Sequence, residues 1–469
     1  MRLTRREVLA SAAAGALGAG GIYELVDRLT SGPARPRAVR GGREQHLLEG
    51  LRVVRDEGVE VVVPPLHHQL VTARLRVADD SRALKSARAE LEEVLSGLED
   101  ELDPTPAGLG VTVAWGLPYF RRYVPVLAKR ELPVDLRASR ARGREVPVLL
   151  DAIRFPSDPA ETALEENDLA VLLRSDSSEH VAQGAKEIFG GHLRDLLVPT
   201  SVRKGFAGGG FDGRASLPKR MAMAADISGA DLIPDTAELF LGFTSTQRAA
   251  LGPPLIANIE TLHYSRGGYF RGGTHMHASH VLEDLEAWYL NFDFRDRVAT
   301  LFRPDQPARE GAQTLRQAPQ DAVTNAAVRR DFSRFGAIGH STAIQPTSRL
   351  QEDVIGADGK LYAKGTAVPQ RTDFNTLDNP FFWSARPDAD GWKPEPAAGV
   401  HFVVFNPTSD DFHRNRLAMD GVLPDGTRLP FEARARGQGI NSVLRTTHRQ
   451  NFIVPPRQHR SFPLVDLID

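Results

Sequence analysis

The stretch "ENDLAVLLRSDSSEHVAQGAKEIF", residues 166–189, joins a short apolar run to a segment with helical periodicity. The apolar run has the length of a buried strand, and Ser177 and Ser178 are residues of the type that caps the first turn of a helix. Upstream, "GVEVVVPPLHHQLVTARLRV" (58–77) and "GVTVAWGLPYF" (110–120) are predicted strands, and "DDSRALKSARAELEEVLSGLED" (79–100) is a predicted amphipathic helix. This order of elements is typical of a ferredoxin-like α+β unit.

The second part of the chain repeats the pattern. Its predicted strands and helices are "AELFLGF" (237–243), a strand; "GGTHMHASHVLEDLEAWYLNF" (272–292), a strand followed by a helix; "GVHFVVFNP" (399–407), a strand; and "SDDFHRNRLAMDG" (409–421), a helix. Residues 344–398 are rich in Pro, Gly and Asp, which indicates a long loop insertion. We therefore predict an α+β protein of two duplicated ferredoxin-like domains with antiparallel sheets, 34–200 and 201–469.

Composition excludes several classes of function. The chain has 469 residues, with 58 Lys and Arg against 60 Asp and Glu and a formal net charge of −2. Such a balance provides no general attraction to nucleic acid or to an anionic membrane, so neither is a predicted partner. Cysteine is absent, which excludes disulfides, thiolate catalysis, iron–sulfur clusters and cysteine-ligated zinc.

The N-terminus carries the pattern of an export signal. Arg5 and Arg6 precede a short run rich in Ala and Gly, as in signals of the twin-arginine pathway. We interpret residues 1–33 as this signal, with an amphipathic or disordered tail as the alternative. The predicted partner is the twin-arginine export machinery, and the predicted location is periplasmic, cell-surface or extracellular. Cleavage of the signal and its retention as an anchor are both open.

Three separate pieces of the chain carry groups with catalytic chemistry. Asp212 lies within the glycine-rich run 209–213, which by itself is typical of a tight turn. No Lys-Ser or Lys-Thr follows the glycines, so the run does not fit a phosphate-binding loop. His340 follows an apolar stretch, where a core histidine is the alternative, and Arg371 is isolated in "AVPQRTDF" (367–374), where an ordinary ion pair is the alternative.

Taken together, these pieces resemble the dye-decolourising peroxidase family. The shared order is a G-x-x-D-G loop, a Gly-Gly-Ser/Thr segment before a helix with D-L-E-x-W, a His-x5-Pro motif and a lone arginine. In this chain the corresponding segments are Gly209 to Gly213, "GGT" at 272–274, "DLEAW" at 284–288, His340 with Pro346, and Arg371 with Phe374. The resemblance covers most of residues 50–420 in patches.

The resemblance implies a fold of the dimeric α+β barrel type and one haem b per chain, held by the second domain. It implies that His340 is the axial ligand of the haem iron, and that Asp212 and Arg371 are the catalytic residues on the opposite face. It further implies contacts to the cofactor from Gly209, Gly210, Phe211, Gly213 and Phe374. The implied substrates are hydrogen peroxide and a bulky organic or phenolic reductant; a homo-oligomer is also compatible with the resemblance.

These residue types suit the chemistry of peroxide cleavage. A carboxylate within hydrogen-bond reach can carry a proton from one peroxide oxygen to the other. A guanidinium in a site of low dielectric constant stabilises the negative charge that develops on the departing oxygen. Glycines beside the carboxylate allow the backbone to approach a flat macrocycle, because they have no Cβ.

The chain departs from the family pattern close to two of these residues. Ser341 and Thr342 stand where Ile-Arg is usual, and Phe374 stands where Tyr is frequent. Asp373 follows Arg371 closely, where the family tends to carry Gly or Asn, and is predicted to pair with it. A haem- or ligand-binding protein of the same fold without catalysis is therefore the alternative function.

A histidine cluster supports a third hypothesis. In "GGTHMHASH", His275 and His277 share one face of a strand, and His280 follows at the predicted turn into the helix. Three imidazoles can hold zinc or copper. The alternative is that they are ordinary polar residues at the edge of the domain.

Overall fold

The computed structural model describes residues 22–29, 43–56, 59–208, 217–242, 268–306, 323–350, 352–355, 361–379 and 395–468. Its strands are β1 Arg52–Asp56, β2 Val59–Val63, β3 His67–Leu75, β4 Gly110–Gly116, β5 Ala163–Leu164, β6 Leu169–Ser175, β7 Leu197–Phe206, β8 Thr274–Glu283, β9 Val354–Ile355, β10 Leu361–Tyr362, β11 Gln370–Arg371, β12 Phe374–Thr376, β13 Gly399–Asn406 and β14 Leu444–Val454. Its α-helices are α1 Glu24–Leu29, α2 Ser81–Glu101, α3 Leu117–Tyr123, α4 Pro125–Glu131, α5 Leu136–Arg142, α6 Ser178–Phe189, α7 Leu217–Ala224, α8 Leu285–Asn291, α9 Phe294–Leu301, α10 Asn325–Phe335, α11 His340–Ser348 and α12 Ser409–Met419.

The first half of the chain is a ferredoxin-like unit, as predicted. Its strands pair antiparallel in the order β7-β3-β6-β4, and α2 and α6 pack on one face of this sheet. The stretch 166–189 forms β6 and α6, and the side chain of Ser177 accepts a hydrogen bond from the backbone N–H of His180 at the start of the helix. The predicted boundary at residue 200 falls inside β7, which pairs with β3 along its length.

The second half has the same strand order, with differences from the sequence-based elements. Its antiparallel order is β12-β13-β8-β14, and α12 follows β13 as predicted. Residues 237–242 of the predicted strand 237–243 form turns and bends instead. The predicted loop 344–398 contains the end of α11 and also β11 and β12, which supply the second strand of this unit. These short segments lack strand periodicity. They form strands because they pair with β13, and not because of an intrinsic β-propensity.

The two sheets close on each other into one barrel. Asn375 of β12 pairs with Phe206 of β7, and Phe452 of β14 pairs with Gly116 of β4. With β11 and β12 counted as one interrupted strand, the ring has eight members, because β8 pairs with both β13 and β14. Apolar residues from both halves fill the interior: Leu70, Ala114, Ala170, Leu172, Met276, Ala278, Phe374, Val403, Phe405, Phe452 and Val454. This confirms the predicted α+β barrel class.

The helix α1 lies within the predicted signal segment 1–33 but packs into the core of the second half. Tyr23 is 8% exposed and Val26 is 0% exposed. The Tyr23 hydroxyl donates to Asp378 Oδ1 at 2.8 Å and accepts from the backbone N–H of Leu377 at 3.0 Å. Residues 22–29 are therefore part of the folded domain, whereas residues 1–21 lie outside the described part of the chain.

Two truncations test whether α1 contributes to the free energy of unfolding. Removal of residues 1–21 is expected to leave the free energy of unfolding unchanged, because it keeps α1. Removal of residues 1–33 is expected to lower it by about 3–6 kcal/mol, because it uncovers the surface buried by Tyr23 and Val26 and breaks the hydroxyl's hydrogen bonds. Urea unfolding of both proteins measures the difference. Equal stability of the two would show that α1 contributes nothing to the fold.

Within the described ranges, no helix is both long enough and apolar enough to span a membrane.

Candidate functional site

The candidate site lies on the outer face of the second half's sheet, beneath α11 and α12. Register places Arg371 opposite Val404 of β13, and Val404 opposite His277 of β8. Because side chains alternate along a strand, residues in register point to the same face. Val404 packs against Phe412 of α12, so this face is the one outside the barrel.

Arg371 forms an ion pair with Asp373. Its Nε donates to Oδ1 at 2.9 Å and its Nη2 donates to Oδ2 at 2.6 Å, and the two side chains are 12% and 9% exposed. Burial acts to lower the pKa of Arg371, but the charge and hydrogen bonds of Asp373 outweigh burial, so the pKa is raised. The predicted pairing is confirmed, and the guanidinium has a counter-charge at two of its nitrogens.

His340 is the first residue of α11. The preceding Gly339 lies against Phe302, where an added Cβ would approach the carbonyl oxygen to 2.1 Å, and Thr342 donates from Oγ1 to the same oxygen at 2.9 Å. These contacts hold the start of the helix in place. The Nδ1 atom of His340 is buried and, in the described parts of the chain, has no hydrogen-bond partner.

The electrostatic environment of His340 includes the charges of Arg371, Arg416 and Asp373. Burial, then the charges of Arg371 and Arg416, lower the pKa of His340 to about 4, although Asp373 acts in the opposite sense. The imidazole is therefore neutral near pH 7 and keeps a free lone pair. Arg371 and Asp373 are in contact, and both lie within electrostatic range of His340. Asp212 and its neighbours Gly209, Gly210, Phe211 and Gly213 lie outside the described residues.

The structure corrects the placement of Phe374. Its register partner is His401, inside the barrel, and its side chain is 1% exposed. The ring stacks on His68 with centroids 4.9 Å apart, on the opposite face of the sheet from Arg371. Phe374 is therefore a barrel-core residue and does not contact a group bound between His340 and Arg371.

The three histidines of β8 do not form one ligand set. His277 bonds through Nδ1 to Asn451 at 2.7 Å and stacks on Phe412, on the outer face together with His275. The strand continues to residue 283, so His280 is not at a turn; it points into the barrel and bonds to Thr447 at 2.6 Å. Among the residues the structure describes, no group of three or more His, Asp or Glu is arranged to hold a metal ion. The metal-site hypothesis is therefore not supported.

Glu283 is a further carboxyl group at this face that was not predicted from the sequence. Burial, and then the charge of Asp373, raise the pKa of Glu283 to about 8, and its Oε2 is buried without a hydrogen-bond partner. This carboxyl is largely protonated near pH 7 and can donate a proton. Its signal in the sequence is weak, because Glu283 directly precedes Asp284, the cap of α8, and looks like part of a solvated turn.

A closed barrel of two ferredoxin-like halves is also the fold of a solved DyP-type peroxidase. The structure of a DyP-type peroxidase from Cellulomonas bogoriensis matches 87% of this chain and 95% of its own, at 18% identity and a TM-score of 0.51. A variant DypB from Rhodococcus jostii in complex with heme matches at 13% identity, 86% and 96% coverage and a TM-score of 0.47. An encapsulated DyP-type peroxidase from Mycobacterium smegmatis matches at 11% identity, 85% and 95% coverage and a TM-score of 0.47.

The chain belongs to DUF7405, a family of unknown function whose model matches residues 65–456. No curated protein matches the sequence significantly. The solved structure from Cellulomonas bogoriensis shares its fold with this chain at low identity. A shared fold alone does not establish a reaction.

Proposed function

We propose that this protein is an exported haem peroxidase that uses hydrogen peroxide to oxidise a bulky organic or phenolic compound. The observation that carries the proposal is the neutral imidazole of His340, whose Nδ1 atom is buried, within electrostatic range of the Arg371 guanidinium on the outer face of the second ferredoxin-like unit. Export rests on Arg5 and Arg6 in the N-terminal sequence. A haem b, one per chain, is the proposed cofactor.

The residues present fit such a group on the side that the structure describes. A metal ligand must be unprotonated, and the lowered pKa of His340 meets that requirement at neutral pH. Its Nδ1 atom has no hydrogen-bond partner among the described residues, so through that atom the ring makes no structural hydrogen bond to any of them. A neutral imidazole is also the axial ligand of haem peroxidases.

The chain's own residues supply the proton transfer and the charge stabilisation. The haem supplies the redox chemistry when bound. Asp212 carries a proton from one oxygen of hydrogen peroxide to the other, and Arg371 stabilises the negative charge that develops as the oxygens separate. Glu283, protonated near pH 7, is a further proton source on the same face.

The Arg371–Asp373 ion pair supports a second candidate function, a haem-binding protein without turnover. A guanidinium whose charge is balanced by a carboxylate at 2.6 Å stabilises a developing anion less than a free one does. The two candidates share the cofactor and differ in reactivity toward peroxide.

Replacement of Asp373 separates them. Titration of the purified full-length protein with haemin is expected to give a saturable Soret band. In the loaded protein, Asp373→Asn keeps the side-chain shape and removes the charge, and is expected to raise the rate constant for reaction with hydrogen peroxide at least about tenfold, because Arg371 regains its full charge. Stopped-flow absorbance measures this rate constant.

Asp353→Asn, a change at another acidic side chain outside the candidate site, is the control and is expected to leave the rate unchanged. Absence of any saturable Soret band would overturn the proposal for haem. A stable haem complex that stays inert toward peroxide in the wild type and in Asp373→Asn would favour the binding protein.

A further inference from the structure

Three basic side chains lie together inside the barrel, away from the candidate site. His46 is 0% exposed, His68 is 2% exposed and Arg174 is 3% exposed. His68 of β3 is directly opposite Arg174 of β6. His46 is carried by residues 43–50, which fill a gap beside β4, where the Gln45 side chain accepts from the Val113 N–H at 2.7 Å and donates to its carbonyl at 3.0 Å.

The guanidinium of Arg174 has neutral partners. Its Nη2 donates to the backbone oxygen of His46 at 2.7 Å and its Nη1 donates to Thr372 Oγ1 at 3.3 Å, while its Nε is buried without a partner. Within the part of the chain that the structure describes, no carboxylate forms an ion pair with it. The other buried arginine of the barrel interior, Arg203, is paired with Glu165. Arg174 is therefore a buried charge without a counter-charge from the described residues.

Both imidazoles beside it lack hydrogen-bond partners among the residues that the structure describes. The Nδ1 and Nε2 atoms of His46 and of His68 are all buried without a partner. The ring of His46 packs on Phe405 with centroids 5.1 Å apart, and the ring of His68 stacks on Phe374. Burial, with the charge of Arg174, lowers the pKa of His46 to about 3, so this ring is neutral and still carries one N–H.

Such an arrangement is costly unless something occupies it. A buried guanidinium without a counter-charge loses its hydration, and each unpaired buried donor adds a desolvation penalty. We propose that the barrel interior binds a small monovalent inorganic anion, of the size of chloride or bromide, between Arg174 Nε and the imidazole N–H groups of His46 and His68. A cation is disfavoured by Arg174, and the rings of Phe374 and Phe405 limit the space for a large organic anion.

The close packing around this site explains why it is restricted to small ions. Gly205, opposite His68 on β7, has no room for a Cβ, which would approach Phe374 Cδ2 to 2.4 Å and the carbonyl oxygen of Asn375 to 2.2 Å. Because Gly205 has no side chain, the β7 backbone packs directly against Phe374, whose ring stacks on His68. The anion site and the candidate haem site lie on opposite faces of the sheet, so either proposal can fail without affecting the other.

The unfolding temperature as a function of bromide concentration tests the proposal. Full-length protein is titrated with sodium bromide at constant ionic strength, with sodium gluconate as the balancing salt, because gluconate is too large for the interior. The wild type is expected to show a saturable rise in unfolding temperature, since a ligand that binds only the folded state stabilises it. Arg174→Met keeps the length of the side chain, removes the charge and is expected to lose this response.

Arg203→Met is the matched control, because it removes a buried arginine that already has a carboxylate partner, and it is expected to retain the bromide response. A crystal of the wild type grown in bromide is expected to show an anomalous peak within hydrogen-bond distance of Arg174 Nε. This measurement decides the question even if Arg174→Met fails to fold. An unchanged response in Arg174→Met, or only water between these three side chains in the bromide crystal, would overturn the proposal.

Discussion

His340→Ala is expected to weaken haem binding by at least about a hundredfold and to shift the Soret band of any residual complex. The physical reason is the loss of the axial nitrogen, which contributes more to affinity than the outer-shell groups, whose removal typically costs 10–100-fold. The fold is expected to persist, because the buried Nδ1 of His340 makes no hydrogen bond that would be lost. Haemin titration followed by absorbance measures both quantities.

Two further measurements make this result specific. His459→Ala removes another partly buried histidine, one that stacks on Tyr269 with centroids 3.9 Å apart, and it is expected to bind haem as the wild type does. Added imidazole is expected to restore the Soret position in His340→Ala by occupying the vacated volume. Wild-type affinity and an unshifted band in His340→Ala would exclude His340 as the axial ligand.

Asp158→Ala is expected to lower the free energy of unfolding by about 3–5 kcal/mol. Asp158 and Arg449 are each 1% exposed and form an ion pair with an Nη2–Oδ1 distance of 2.7 Å, and Arg416 approaches the same oxygen at 3.4 Å. The other oxygen of Asp158 accepts from the backbone N–H of Phe155 at 2.7 Å. Removing one partner of a buried pair leaves an uncompensated charge, which is more costly than the pair itself is stabilising. Denaturant unfolding measures the change.

Two comparisons isolate the charge from the packing. Asp151→Ala breaks a surface ion pair with Arg121. The Arg121 side chain is 58% exposed and the Asp151 side chain is 61% exposed. The free energy of unfolding of this variant is expected to stay within about 0.5 kcal/mol of the wild-type value. Asp158→Leu combined with Arg449→Met removes both charges and is expected to be more stable than Asp158→Ala. A double variant as unstable as the single one would mean that lost packing, not an unpaired charge, is the cause.

Elements with strong local signals were predicted correctly from the sequence. The strand and helix of 166–189 are β6 and α6, because a compact apolar run and a serine cap act over a few residues. The pairing of Asp373 with Arg371 was also predicted, because the two residues are only two positions apart. The expectation that His340 and Arg371 share a site came from the family resemblance, and in the structure the charge of Arg371 acts on His340.

The predictions that depended on strand pairing between distant segments were incomplete or wrong. Residues 237–242 have a strand-like composition but no partner strand, whereas β11 and β12 lack a periodic signal and are ordered by β13. His280 was expected at the turn into the helix and Phe374 in contact with the cofactor, but the register of β8 and β12 turns both side chains into the barrel. A single residue of register decides which face a side chain occupies, and the sequence of one strand does not contain its partner's register.

Local signals in the sequence were enough to predict the α+β class and the repeated ferredoxin-like order, because propensity, capping and motif spacing are local properties of the chain. The barrel class and the residues proposed for peroxide chemistry came from the family resemblance. The docking of α1 beside Asp378 and the meeting of Arg174, His46 and His68 inside the closed barrel became apparent only in the folded structure. Burial and the absence of a counter-charge arise from contacts between distant segments, and these exist only once the barrel has closed.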